Sequence, residues 1–224
     1  MAKATLWLFD IDGTLVDTGG AGLAALNQAT ERYFGEPGPA LDLAGATDSG
    51  LVAGLFEHFG RPYGDGDFEA YCAVYLERLE WNLIHGGFPG IALPGAGDLL
   101  DHLAGESDIT VGLLTGNVEA GALAKMRHYG MVHHFGFGAY GCDHSDRNRL
   151  GPVALERAGR HTGRTFSAEE TLVIGDTPKD IACARAMGAR CLAVATGVFS
   201  ADGLGGADHI ADSLEDESAW GRYL

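Results

Sequence analysis

Four short apolar runs constrain this chain more than any other feature: "ATLWLFDI" (4–11), "ITVGLLT" (109–115), "TLVIGD" (171–176) and "RCLAVAT" (190–196). None carries the 3.6-residue period of a helix, and none alternates apolar with polar as a half-solvated strand would. Strands that are apolar at successive positions must be covered on both faces. Between and around the runs lie helical patterns, "PGAGDLLDHLAG", "VEAGALAKMRHYG", "GPVALERAGRHTG" and "PKDIACARAMG", several closing on glycine at the C-cap position. Alternation of this kind predicts an α/β fold, a doubly wound parallel sheet with helices on both faces. "DHIADSL" predicts a short edge strand at the end of the series.

Residues 18–92 break the rhythm. They read as "GLAALNQATERYFG", "SGLVAGLFEHFG" and "DFEAYCAVYLERLEWNLIH", helix after helix with no strand pattern between them. That is too long for an ordinary strand-to-helix connection. The expected organisation is an α/β core from 1–17 and 93–224 with an inserted all-helical cap domain at 18–92. The glycines of "DTGGAG" (17–22) suit a hinge between them.

Charge narrows the partners. The formal net charge is −16, from 31 acidic and 15 basic residues. Such a surface attracts neither nucleic acid nor an anionic membrane, and both are excluded as partners on this reading. The four cysteines form no CxxC pair or disulfide framework, and no apolar run is long enough to span a bilayer. A soluble, cytoplasmic protein with reduced thiols is expected.

The polar residues that end the apolar runs carry the chemistry. Asp10 and Asp12 follow the first run, Thr115 in "LLTGN" the second, and Asp176 with Asp180 in "GDTPKD" the third. In open parallel sheets ligands bind at the carboxyl ends of strands, so these loops should converge. Crowded aspartates repel one another and raise each other's pKa values. A divalent cation removes that repulsion, and an all-oxygen ligand set suits Mg²⁺. Thr177, Pro178 and Asp180 also fit a helix start, with Thr177 as N-cap, so Asp180 has both a capping and a metal-supporting reading.

"DIDGTLVD", "LLTGN" and "GDTPKD" resemble the first, second and fourth motifs of the haloacid dehalogenase superfamily, and the helical block resembles the cap of its phosphoglycolate phosphatase-like members. The resemblance implies a Rossmann-like core and a Mg²⁺-dependent phosphatase acting on a small phosphorylated metabolite. It makes Asp10 the nucleophile, Asp12 the general acid and base, and Thr115 a phosphoryl hydrogen-bond donor. Asp10, Asp12 and Asp176 would form the metal site, Asp12 through its backbone carbonyl, with Asp180 behind them. Gly13 lets the chain turn, which would leave the Gly13 and Thr14 amides facing phosphoryl oxygens, and Gly116 and Asn117 join the substrate-binding set. A phosphosugar mutase of the same superfamily and a non-catalytic phospho-ligand switch are the alternatives.

Two points depart from the motif pattern or stay open. The lysine expected after the second motif is missing: "HSDRNRLGPVALERA" offers Arg147 and Arg149. With Asn148 as helix N-cap, Arg147 lies just outside the helix and is favoured, while Arg149 stands at the lysine position before Gly151-Pro152. In the cap, "GATDSG" (45–50) resembles a loop facing the active site. Thr47 and Asp48 would there contact substrate, or simply cap the next helix.

Overall fold

The computed structural model describes residues 3–224. Six strands form one parallel sheet: β1 (Leu6–Phe9), β4 (Thr110–Leu114), β5 (Gly138–Ala139), β6 (Thr171–Gly175), β7 (Arg190–Val194) and β8 (His209–Ala211). Their spatial order is β5-β4-β1-β6-β7-β8. A separate antiparallel ribbon pairs β2 (Val16–Asp17) with β3 (Ile91–Ala92). The apolar runs at 4–11, 109–115, 171–176 and 190–196 are the four central strands, and "DHIADSL" supplies the edge strand β8.

The helices are α1 (Ala21–Phe34), α2 (Asp48–His58), α3 (Asp67–His85), α4 (Ala96–Ala104), α5 (Glu119–His128), α6 (Leu150–Thr162), α7 (Pro178–Met187) and α8 (Glu217–Trp220). Along β1 the side chains alternate between two cores. Trp7 and Phe9 pack with α4, α5 and Trp220, while Leu6 and Leu8 pack with α6 and α7. That is why the run is apolar at every position: each face of the sheet has its own helical layer. Complete burial of Trp7 and Phe9 is worth about 1.5–3 kcal/mol for a side chain of this kind. Among the described residues no helix is long and apolar enough to cross a membrane.

The helices α1, α2 and α3 build a third apolar cluster around Leu26, Phe34, Leu55, Phe56, Tyr71 and Leu79. It closes on Val118 and Ala124, at and within α5, so this layer rests on the edge of the sheet layer rather than standing free. The chain passes into and out of the three helices through β2 and β3, where Val16 pairs with Ala92 and Asp17 with Ile91. The segment 18–92, expected to contain no strand, therefore ends in one. Two residues that are exposed on both faces leave no alternating pattern to read. The "GA" of β5 is buried, but two residues are likewise too short to show a strand pattern.

Candidate active site

The strand order brings the polar residues together. Strands β4, β1 and β6 are adjacent, so Thr115, Asp10 and Asp176, which follow them directly, stand side by side at one edge of the sheet. All three are buried. Thr115 accepts hydrogen bonds from Asn117, at 2.9 Å from Nδ2 and 3.3 Å from the backbone N–H.

Carboxylate oxygens of Asp10, Asp176 and Asp180 all lie within 4.8 Å of one another. Burial pushes Asp176 up to about 8, and the neighbouring Asp10 and Asp180 add to the shift. Asp10 is raised to about 6, again chiefly by burial, with Arg147 pulling the other way. So much buried negative charge calls for a counter-charge, and three carboxylates at this spacing are the hard oxygen set a small divalent cation takes. Two glycines keep room beside Asp176: a Cβ on Gly13 or on Gly197 would overlap its carboxylate. The residues present therefore fit Mg²⁺, with Asp10 and Asp176 as the side chains able to hold it. Asp180 is committed elsewhere. Its Oδ2 accepts from the Thr177 N–H at 3.0 Å and hydroxyl at 2.7 Å, and its Oδ1 accepts from Arg147. Thr177 and Asp180 form the reciprocal cap at the start of α7 that their spacing predicts.

The Asp12 side chain is not in the acidic cluster. Its two oxygens accept from Lys125 Nζ at 2.8 and 2.6 Å, and Oδ2 also accepts from Asn117 Nδ2 at 2.8 Å. Any part Asp12 takes in metal binding must come from its backbone. Lys125 itself is nearly buried, and it further donates to Asn117 Oδ1 at 2.6 Å. Sequence reasoning missed this lysine. The available signal was its position on the apolar stripe of α5, in step with Val118, Gly121 and Ala122, where a charge needs a partner.

Arg147 and Arg149 separate cleanly. Arg147 is buried and reaches Asp10 Oδ1 at 3.1 Å as well as Asp180. Burial opposes its charge, but Asp10 and Asp180 outweigh that and hold the guanidinium protonated. Arg149 is exposed and takes no part in lining the crevice. The capping argument for choosing between them fails, however. Arg147 to Arg149 form a short 3-10 turn whose N-cap is Asp146, accepting from the Asn148 N–H at 3.0 Å; Asn148 caps nothing. Arg147 opens that turn and is buried facing the crevice, as favoured from the sequence, although the cap is Asp146 and not Asn148.

The first-motif turn also differs from expectation. The Gly13 N–H donates to Val16 O at 2.8 Å and the Thr14 N–H to Ile11 O at 3.3 Å, so both amides are spent inside the turn. Gly13 has φ +81°, a left-handed conformation that favours glycine. Thr14 instead steers a carboxylate of the acidic cluster, its hydroxyl donating to Asp176 Oδ1 at 3.1 Å. Of the two cap residues, Thr47 caps α2, accepting from the Gly50 N–H at 3.3 Å and donating to Ser145 O at 2.7 Å. Asp48 faces the crevice. Its Oδ2 accepts from the Val118 N–H at 2.7 Å and its own N–H donates to Gly116 O at 2.7 Å, tying α2 to the loop after β4. Burial raises Asp48 to about 6, against the pull of the Val118 N–H and Lys125.

Between the sheet edge and the three helices lies a cavity of about 600 Å³. Asp10, Asp12, Gly13, Thr115, Gly116, Asn117, Arg147 and Asp176 form its sheet side; Thr14 and Thr47 do not line it. A carboxylate at its floor, a fixed guanidinium beside that carboxylate and a second carboxylate at the mouth are the groups needed to receive and release a phosphoryl group.

Known proteins are similar to this chain in sequence and fold. The family model for haloacid dehalogenase-like hydrolases matches residues 7–194. Phosphoglycolate phosphatase 1 of Pseudomonas aeruginosa is 26% identical over 201 residues, covering 86% of this chain and 70% of that one. Among solved structures, CbbY from Rhodobacter sphaeroides in complex with phosphate superposes with a TM-score of 0.73 at 19% identity, covering 96% of each chain. A hydrolase from Pseudomonas syringae gives 0.70 at 23% identity, again over 96% of each chain.

Proposed function

Since this chain belongs to the haloacid dehalogenase-like hydrolase family, we propose that it is a Mg²⁺-dependent phosphatase, hydrolysing a small phosphomonoester through an aspartyl-phosphate on Asp10. One observation carries the reading: Asp10 sits at the end of the central strand β1, buried, with Arg147 at 3.1 Å and Asp12 two residues on at the cavity mouth. A relative named for phosphoglycolate and another crystallised with phosphate support it. On this reading residues 18–92 are a cap domain over the core.

In the first half-reaction an Asp10 carboxylate oxygen attacks phosphorus in line with the ester oxygen. The P–O ester bond breaks as the acyl-phosphate bond forms, and a proton from Asp12 goes to the departing alkoxide. Arg147, with a fork of donors that stays charged, holds the phosphoryl oxygens during transfer. In the second half Asp12 takes a proton from water as that water attacks the same phosphorus, freeing inorganic phosphate and restoring Asp10. Lys125 donates to both Asp12 oxygens and Asn117 to Oδ2, which presents the carboxylate as an acceptor, the form this second step needs. When bound by Asp10 and Asp176, Mg²⁺ would supply charge neutralisation for the carboxylates and the phosphoryl oxygens.

The test is release of inorganic phosphate from phenyl phosphate, with Mg²⁺ and with EDTA. Turnover with Mg²⁺ that is lost in EDTA and in Asp10→Asn is expected. Undiminished turnover in the Asp10→Asn protein would exclude the covalent route.

A further inference from the structure

Within the reading of this chain as a phosphatase, we infer that its substrate is the phosphate ester of an uncharged, largely apolar alcohol. Esters whose alcohol carries a second anion are poor substrates.

The argument rests on what surrounds the space beyond the phosphoryl group. On the helical side the cavity is lined by Leu23 and Leu26 of α1, Leu43 of the following loop, Leu51 of α2 and Tyr75 of α3, with Val198 opposite. Leu23 and Val198 are 42% and 82% exposed, among the few large apolar side chains left in water. The acidic side chains lining the cavity away from the sheet edge are Asp48, Asp42 and Asp17. The cations in the lining, among the described residues, are Lys125 and Arg147. Both are committed, Lys125 to Asp12 and Arg147 to Asp10 and Asp180. Lys179, which packs on Gly45, is exposed and outside the lining.

A carboxylate or second phosphate on the leaving group would therefore leave water for a wall of leucines with Asp48 close by. It would lose hydration and meet a like charge, with no counter-ion to offset either. An alkyl or aryl group entering the same space loses nothing and buries apolar surface on both partners. A neutral polar group has one place to go. Tyr75 is 2% exposed, and its hydroxyl has no hydrogen-bond partner among the described residues, so it offers a donor and an acceptor to a substrate hydroxyl or carbonyl.

The experiment compares kcat/KM for n-butyl phosphate, phosphoglycolate and phenyl phosphate with Mg²⁺, in the wild type and in Leu23→Lys, Leu43→Lys and Lys179→Ala. Butanol is no better a leaving group than glycolate, so a preference for its ester comes from the site. We expect n-butyl phosphate to lead phosphoglycolate by roughly tenfold to a hundredfold, the usual penalty of an unpaired buried charge. Either lysine variant should narrow that gap by giving the carboxylate a partner, and Lys179→Ala should leave it unchanged. Phosphoglycolate equal to or better than n-butyl phosphate in the wild type overturns the inference, and so does a gap that Lys179→Ala widens. Phenyl phosphate keeps the two claims apart. If it is hydrolysed while phosphoglycolate leads, only the substrate inference falls; if no ester is hydrolysed, the phosphatase reading falls with it.

Discussion

Lys125 Nζ lies 2.6 Å from Asp12 Oδ2, a pairing of a side chain 4% exposed with one 43% exposed across 113 positions of sequence. The lysine is rooted in the interior of α5 and the aspartate stands at the cavity mouth, so the ion pair fixes the direction of a carboxylate that would otherwise sweep through solvent. Lys125→Met should therefore fold normally, because a thioether suits the apolar face of α5 and Asp12 can turn to water. Turnover of phenyl phosphate should fall on the order of 10²-fold with KM little changed, as expected when a catalytic group is misdirected. Steady-state kinetics alongside a melting curve checks both halves.

The two arginines should diverge. Arg147→Ala strips Asp10 and Asp180 of a buried partner, which costs about 3–5 kcal/mol in comparable pairs. Both a lower Tm and loss of activity by several orders of magnitude are expected. Arg149→Ala removes an exposed side chain and should shift stability by less than about 0.5 kcal/mol, with activity intact. Equal effects from the two would contradict the assignment of Arg147 as the phosphate clamp.

Asp10 is the nucleophile of the proposed reaction and Asp12 its acid and base, and acid-quenched mass spectrometry separates the two roles. Asp10→Asn should show no added phosphate and no turnover. Asp12→Ala keeps the nucleophile but lacks a base for water. With p-nitrophenyl phosphate, whose leaving group needs little protonation, it should accumulate a phosphorylated protein slowly while turnover nearly stops.

The buried acids give stability a pH dependence whose sign can be worked out. Asp176 and Asp10, raised to about 8 and about 6 from an unfolded value of 3.8, bind protons more tightly folded than unfolded. Without metal their contribution is fully present below about pH 4 and is lost as pH rises through the folded values. The Tm measured in EDTA should thus decline between pH 5 and pH 8. Mg²⁺ favours the ionised form, so the rise in Tm on adding it should be larger at pH 8 than at pH 5. A Mg²⁺ effect independent of pH would argue against the carboxylate cluster as its site.

Much of this molecule is determined locally and was open to reading from its residues in order. The four apolar runs could only be strands covered on both faces. Thr177, Pro178 and Asp180 could start a helix in one way, and the aspartates ending two of those runs had to meet at one sheet edge once the strands were parallel. Other features were decided by packing across long separations. Arg147 to Arg149 form a 3-10 turn capped by Asp146, and Arg147 is buried against the distant Asp10 and Asp180. The Gly13 and Thr14 amides close their own turn, and Val16, whose carbonyl accepts from Gly13, pairs with the distant Ala92. Lys125 became part of the site only when α5 was laid beside β1, bringing a buried ammonium against Asp12. Periodicity and capping act within a few residues and are written in the sequence. Which buried charge finds which partner is settled by the three-dimensional neighbours that shield it from water, and those are set by the whole chain at once.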